Sequence, residues 1–284
     1  MTEADRRIAA HRQFFSELVT ANLPSPQPAL VEAFRTTPRE AFLGPGPWYV
    51  FTGSKSVSIP TDDAAFVYQD VVIRLKGDVN NGQPSLHAMC LGALNVQPGE
   101  TAIHVGAGHG YYTAILAQLV GPHGRVHAYE IDLELAARAT KNLAAFPQVT
   151  VHAESAVGSE LPKAGVVYVN AGASHVPPNW LDALHVGGRL LFPLEPASNP
   201  GAMLLVIHHA HGRYAARFLV PAIFIPCVGA QDEATAAELG EALRRGDARE
   251  VKSLRRDSQP DQTAWHVGNG WWLSTAPPGE DRQT

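Results

Sequence analysis

A chain of 284 residues with 45% hydrophobic side chains is long enough to bury one large core with a small appended subdomain. Its net charge of −5, from 22 Lys and Arg against 27 Asp and Glu, leaves no basic excess of the kind that holds a protein on phosphate backbones, which argues against a nucleic-acid partner. The two cysteines, Cys90 and Cys227, announce neither a metal pair nor a disulfide framework. The charged start Met1 to Arg12 has no signal-peptide core, and no run approaches the roughly 20 apolar residues that span a bilayer, so a cytoplasmic protein without a membrane partner is expected.

The spacing of Ile8, Phe15 and Leu18 predicts an amphipathic helix over about Glu3 to Ala21, ended by Pro24, Pro26 and Pro28. A short helix is predicted from Pro28 to Arg35. Residues 36–85 mix Pro and Gly with short β-type runs such as Val71-Val72-Ile73, and read as an irregular subdomain. From Leu86 to Ile225 strands and helices alternate: Ala102 to Val105, Tyr111 to Val120, Arg125 to Tyr129, Leu133 to Ala145, Val149 to His152, Val166 to Val169, Trp180 to Leu184, Arg189 to Phe192. That order predicts an α/β fold of Rossmann-like type, a mostly parallel, doubly wound sheet covered on both faces. Met203 to Ile207 and Arg213 to Val220 lack a helix between them and read as a C-terminal antiparallel hairpin. Beyond Asp232 a helix over Ala234 to Arg244 is expected, then an aromatic segment, Trp265 to Leu273, whose shape the pattern does not predict. The expected division is an N-terminal helical cap, 1–85, a cofactor domain, 86–230, and a C-terminal extension, 231–284.

The chemical signal is Gly106-Ala107-Gly108-His109-Gly110, placed between a strand ending in Val105 and a helix opening at Tyr111. Glycine serves where a strand turns tightly into a helix and the backbone must pass close to a ligand. The second strand ends about twenty residues later at Glu130, where an acidic side chain accepts hydrogen bonds from ribose hydroxyls in dinucleotide folds. A solvated strand-end carboxylate is the competing reading. The third glycine comes one position too early for the dinucleotide fingerprint, and Tyr111 stands where that fingerprint needs a small residue, so NAD is the weaker reading. This spacing is similar to motif I of class I S-adenosylmethionine-dependent methyltransferases.

Further segments, in order from about Thr37 to Gly229, resemble the protein-L-isoaspartate O-methyltransferase family. They are Thr37-Pro38-Arg39-Glu40-Ala41-Phe42, Tyr68-Gln69-Asp70, Gly82-Gln83-Pro84-Ser85-Leu86-His87, the glycine loop with its flanks, Tyr129-Glu130-Ile131-Asp132, Val166 to Pro193 with Asn170-Ala171-Gly172-Ala173, and Phe224-Ile225-Pro226. The resemblance implies S-adenosylmethionine as cofactor, with Gly106, Ala107, Gly108, His109, Gly110, Tyr111, Glu130, Ile131, Ser155 and Asn170 as its binding residues. It also implies a protein or peptide carboxylate as methyl acceptor. Four departures accompany it. Asn80-Asn81-Gly82 stands where the family carries Thr-Ile-Ser, Glu154-Ser155-Ala156 where it carries Gly-Asp-Gly, His104 where motif I opens with glutamate, and residues 233–284 have no counterpart in its short form.

A carboxylate is already ionised at neutral pH, so its methylation requires orientation and desolvation rather than a general base. The candidates for orienting it are Asn80, Asn81, Gly82, Gln83 and Ser85, since two amide side chains can stand in for a hydroxyl. A plain Asn-Gly turn is the other reading of the same residues. Three classes of function stay open: an isoaspartate-type carboxyl methyltransferase, a methyltransferase of the same scaffold for a small molecule or dedicated peptide, and a non-catalytic cofactor-binding module. No metal is expected, because His209 on a strand faces away from His208 and His211 and no carboxylate accompanies them. Trp265, Trp271 and Trp272 are expected to help the tail cover the core. Replacing Glu130 with Ala is expected to weaken S-adenosylmethionine binding by about 1.5 to 3 kcal/mol, the worth of a charged acceptor; unchanged affinity in calorimetry would remove Glu130 from the site.

Overall fold

The computed structural model describes residues 2–53, 55–196, 200–210, 212–256 and 259–279. In chain order the helices are α1 (Glu3–Thr20), α2 (Pro28–Thr36), α3 (Pro84–Leu94), α4 (Tyr111–Val120), α5 (Leu133–Asn142), α6 (Pro178–Asp182) and α7 (Glu233–Arg245). The strands are β1 (Tyr49–Phe51), β2 (Ser56–Ser58), β3 (Val72–Lys76), β4 (Val79–Asn80), β5 (Thr101–Val105), β6 (Arg125–Tyr129), β7 (Val149–His152), β8 (Ala164–Val169), β9 (Leu184–Leu194), β10 (Gly201–Ala210), β11 (Arg213–Ala222), β12 (Ser253–Arg255), β13 (Ala264–Gly268) and β14 (Trp271–Ser274). They fall into two compact units, Met1–Glu100 with Ala107–Glu154, and Thr101–Gly106 with Ser155–Thr284.

In the first unit, α1 starts on a capping box in which Thr2 and Asp5 exchange backbone and side-chain hydrogen bonds. Phe15 on its inner face meets Phe34 of α2 and Tyr68 edge-on, at 6.2 and 5.6 Å between ring centroids. The irregular stretch is more ordered than its composition announces: β1 to β4 form a small antiparallel sheet in the order β2-β1-β3-β4. Pro84 opens α3, where its missing N–H costs nothing, and Asn95 in the left-handed region ends it. Asp132 caps α5 by accepting from the amides of Glu134 and Leu135. β6 and β7 pair in parallel.

In the second unit, β8 is buried along its whole length, the pattern of a central parallel strand, and pairs in parallel with β5 and with β9. Beyond β9 the pairing turns antiparallel through β10 and β11, as the missing helix implied, and the tail continues it, giving the order β5-β8-β9-β10-β11-β12-β14-β13. Trp272 is 2% exposed, with the Arg255 guanidinium over its ring, and Trp265 lies against Phe218 of β11. The aromatic tail is therefore core and sheet edge in one. Among the described residues no helix is long and apolar enough to cross a membrane, and no group of three His, Cys, Asp or Glu is placed to hold a metal ion. His208 stacks on Tyr214, while His211 lies outside the described residues.

Trp272→Ala should destabilise the protein by about 3 to 5 kcal/mol through lost burial and the cavity left behind, read from urea unfolding. Acid should act through two buried histidines of the same unit: burial holds His104 down to about 3 and His266 down to about 4. Folded, they stay neutral where the unfolded chain takes up protons, so their stability is complete above about pH 6.5 and is lost as pH falls from there toward 4. His104→Gln should flatten the fall of the urea midpoint between pH 6.5 and 4; an unchanged slope would show that His104 carries none of it.

Candidate functional site

In the first unit the glycine loop is bound to the end of β6. The amide of Gly108 donates to Glu130 Oε2 at 2.8 Å, the amide of Asp132 donates to Glu130 Oε1 at 3.0 Å, and the amide of Ala107 donates to the Tyr129 carbonyl at 3.2 Å. Glu130 is 7% exposed, and its burial raises its pKa against the opposing pull of these amides. It is thus a built-in carboxylate rather than a solvated strand end. Gly110 begins α4 at φ +93°, and a β-carbon there would lie 2.8 Å from Leu143 Cδ1, so both the turn and the packing of the following segment require glycine. Next to Glu130, the apolar Ile131 side chain is 49% exposed.

His109 and Tyr111 both make contacts with other segments of the first unit. His109 Nδ1 pairs with the Phe42 carbonyl at 2.9 Å, its own carbonyl accepts from Asn142 at 3.0 Å, and burial lowers its pKa. It lines a cleft with Leu43, Leu75, Lys76, Glu134 and Arg138. Tyr111 is buried edge-on against Phe34 and Phe42.

The second unit holds the remaining predicted cofactor residues. A β-carbon on Gly106 would come within 3.2 Å of the Asn170 carbonyl, and the Asn170 amide donates to the Val105 carbonyl, so the ends of β5 and β8 lie together. Asn170 Nδ2 is 2.7 Å from His104 Nε2, while its Oδ1 is buried with no protein partner. Ser155 accepts from the Val157 amide through Oγ and from the Ser159 hydroxyl through its carbonyl. Within the first unit, the glycine turn and the buried acid at the end of β6 form a set of backbone donors and a carboxylate acceptor, which fits a nucleoside-bearing cofactor.

The five predicted acceptor residues lie in the first unit and run from the end of β4 into the first turn of α3. Asn80 Oδ1 accepts from the Gly82 amide at 2.9 Å, closing the turn. Gly82 sits at φ +65°, and a β-carbon there would stand 2.0 Å from His87 Nε2, so no side chain fits at this position beside the His87 ring, which stacks on Tyr112 at 3.6 Å. Asn81 is 8% exposed; its Oδ1 accepts from the amide of Ile73 and from Arg39. Gln83 and Ser85 converge on Asp70, whose carboxylate accepts from Gln83 Nε2 at 2.9 Å, the Ser85 amide at 2.8 Å and the Ser85 hydroxyl at 2.7 Å.

Sequence reasoning passed over Asp70 and Arg39 as site residues. Asp70 caps α3 from outside the helix, a role no local pattern reveals. Arg39 is fully buried and reaches across about thirty residues to the carbonyls of Val67, Gln69 and Val71 at 2.7 to 2.8 Å. The only signal for either was its place inside a segment of the family resemblance.

Comparison with known proteins agrees with this geometry. Residues 26–232 match the model of the protein-L-isoaspartate(D-aspartate) O-methyltransferase family. A protein-L-isoaspartate O-methyltransferase from Ignicoccus hospitalis is 29% identical over 203 residues, covering 70% of this chain and 88% of the relative. One from Aeropyrum pernix is 32% identical over 179 residues, covering 60% of this chain and 67% of the relative. Among solved structures, a protein-L-isoaspartate O-methyltransferase superposes with a TM-score of 0.66 at 21% identity, covering 82% of this chain and 69% of the other. A Plasmodium falciparum protein described as a beta-aspartate methyltransferase, in complex with S-adenosyl-L-homocysteine, superposes with a TM-score of 0.61 at 17% identity, covering 76% of this chain and 97% of the other. The shared fold is the S-adenosylmethionine-dependent methyltransferase fold, and the chain belongs to the protein-L-isoaspartate(D-aspartate) O-methyltransferase family.

Proposed function

We propose that this protein methylates a carboxylate of a protein or peptide, an isoaspartyl side chain by family membership, with S-adenosylmethionine as donor. The observation that carries the reading is the glycine loop locked onto a buried Glu130, with both carboxylate oxygens already holding backbone amides. By family resemblance, Ala107, Gly108, His109, Gly110, Tyr111, Glu130 and Ile131 of the first unit and Gly106, Ser155 and Asn170 of the second are the residues that would hold the cofactor. When bound, that cofactor supplies an electrophilic methyl group on a sulfonium.

The rest is asked of the chain's own residues. An ionised acceptor needs no proton removed, so the loop has only to hold it in line and strip it of water, and good alignment alone can supply on the order of 7 to 11 kcal/mol of the barrier. Of the five loop residues, Asn80 keeps its amide nitrogen for the acceptor, because its oxygen is spent on Gly82. Asn81, Gly82, Gln83 and Ser85 give the loop its shape. Residues 1–85 form the acceptor-side cap, 86–230 the cofactor domain and 231–284 an extension. The negative net charge and two free cysteines support a cytoplasmic protein that acts on neither nucleic acid nor membrane.

One observation favours a second reading, a methyltransferase for a small molecule or a dedicated peptide. With Gly82 pressed against His87, the loop offers backbone where the family offers a serine side chain. Transfer of labelled methyl from S-adenosylmethionine to an isoaspartyl peptide and to its aspartyl twin decides between the two. The expected result is base-labile label in the isoaspartyl peptide alone; transfer to neither peptide, with S-adenosylmethionine still bound, would pass the case to the second reading.

A further inference from the structure

β6 and β7 pair in parallel with His127 opposite Thr150 and Tyr129 opposite His152, so the two-residue period of a strand puts all four on one face of the first unit. On that face His127 Nδ1 lies 3.1 Å from His152 Nε2. The two rings are near parallel, at 21°, and His152 also stacks on Tyr129 with 4.5 Å between centroids. The other nitrogen of His152, Nδ1, faces Glu154 Oε1 at 3.8 Å, and 26% of the His152 side chain is exposed, so solvent reaches the pair. Arg125 shares the face, but its guanidinium donates back to the Gly124 carbonyl. The proposed methyl transfer uses neither histidine.

A hydrogen bond between two imidazoles accounts for the short separation, and so does a pair of metal ligands. Zinc–nitrogen bonds of about 2.0 to 2.1 Å put two ligand nitrogens roughly 2.9 to 3.4 Å apart for angles between the octahedral and the tetrahedral. The terminal torsion of histidine is soft, so both lone pairs can turn from each other toward a shared point while the backbones stay paired. Two features favour ligation. A carboxylate behind the remote nitrogen fixes the proton there and leaves the near nitrogen bare, the support that histidine ligands usually have, and Glu154 stands in that place behind His152. Both histidines are also carried by paired strands rather than by a loop, which fixes their separation. We propose that His127 Nδ1 and His152 Nε2 bind one divalent transition-metal ion of the zinc, nickel or copper class, with water in its remaining positions. Ligation moves the shared ring proton of His127 from Nδ1 to Nε2, and none is released. The His152 carbonyl accepts from the Glu130 amide at 3.0 Å, so the ion would clamp β6 to β7 beside Glu130.

The probe is Zn²⁺ itself, added to the metal-free full chain at about pH 7.5, where imidazole is neutral, and followed by competition with a chromophoric chelator. Wild type should bind one ion more than His127→Gln and one more than His152→Gln. Glutamine can keep a hydrogen bond between the strands, but each variant loses a direct ligand, a loss at least as large as the roughly 10- to 100-fold that removing a supporting carboxylate costs. Because the ion binds the folded chain, Zn²⁺ should raise the thermal midpoint of wild type more than that of either variant. Mg²⁺, which takes oxygen ligands, should not raise it. Equal stoichiometry and equal midpoint shifts in wild type and variants overturn the proposal and leave the pair as a hydrogen bond between strands. Should a variant fail to fold, nuclear magnetic resonance of the ring nitrogens decides on the wild type alone: Zn²⁺ should move the signals of His127 Nδ1 and His152 Nε2, and signals that stay in place overturn the site. No readout involves methyl transfer, so this proposal fails or stands separately from the proposed function.

Discussion

The bond between the Gly108 amide and the buried Glu130 carboxylate is the constraint on which the cofactor side of the molecule depends. It ties the turn after β5 to the end of β6, and it does so with an acceptor already removed from water. Desolvation alone would push Glu130 toward protonation, and the two backbone amides oppose that push. The loop and the acid therefore stabilise one another. A glycine turn without the carboxylate would leave an amide to water, and the carboxylate without the turn would be an unpaired buried charge.

The acceptor side uses the same physics with the sign reversed. There the buried charge is Arg39, whose guanidinium donates to carbonyl and amide oxygens and lies over the Phe15 ring, while the Asp70 carboxylate favours its charged form. Asp70 completes the arrangement from the far side, ordering the start of α3 and the loop before it. In the proposed reading, the acceptor carboxylate meets a surface whose geometry and potential are settled before it arrives, the preorganisation by which an active site lowers a barrier without a reactive side chain. The stacking of His87 on Tyr112 beneath Gly82 belongs to the same framework and explains why position 82 has no room for a side chain.

The C-terminal extension adds stability rather than visible chemistry. Its three strands lengthen the antiparallel part of the sheet beside β11, and its tryptophans are buried. The family match ends at residue 232, and the sheet continues beyond it with residues of the extension.

What could be read from the sequence alone was what short-range chemistry decides. The alternation of β-type and helical runs set the fold class, the glycine turn stands between β5 and α4 as read, and Glu130 stands at the end of β6, because strand, turn and helix lengths obey local geometry. The helices at both ends were legible for the same reason, with Pro28 and Asp232 at their starts. The partners of Arg39, the reach of Asp70 to Ser85, the burial of Asn81 and the strands of the aromatic tail were not legible. Each depends on groups brought together from distant parts of the chain, and a buried charge or a sheet edge is satisfied by whatever the fold delivers to it. Local pattern determined which residue types stand at the loops; only tertiary structure decided which of them are spent holding the loop in place.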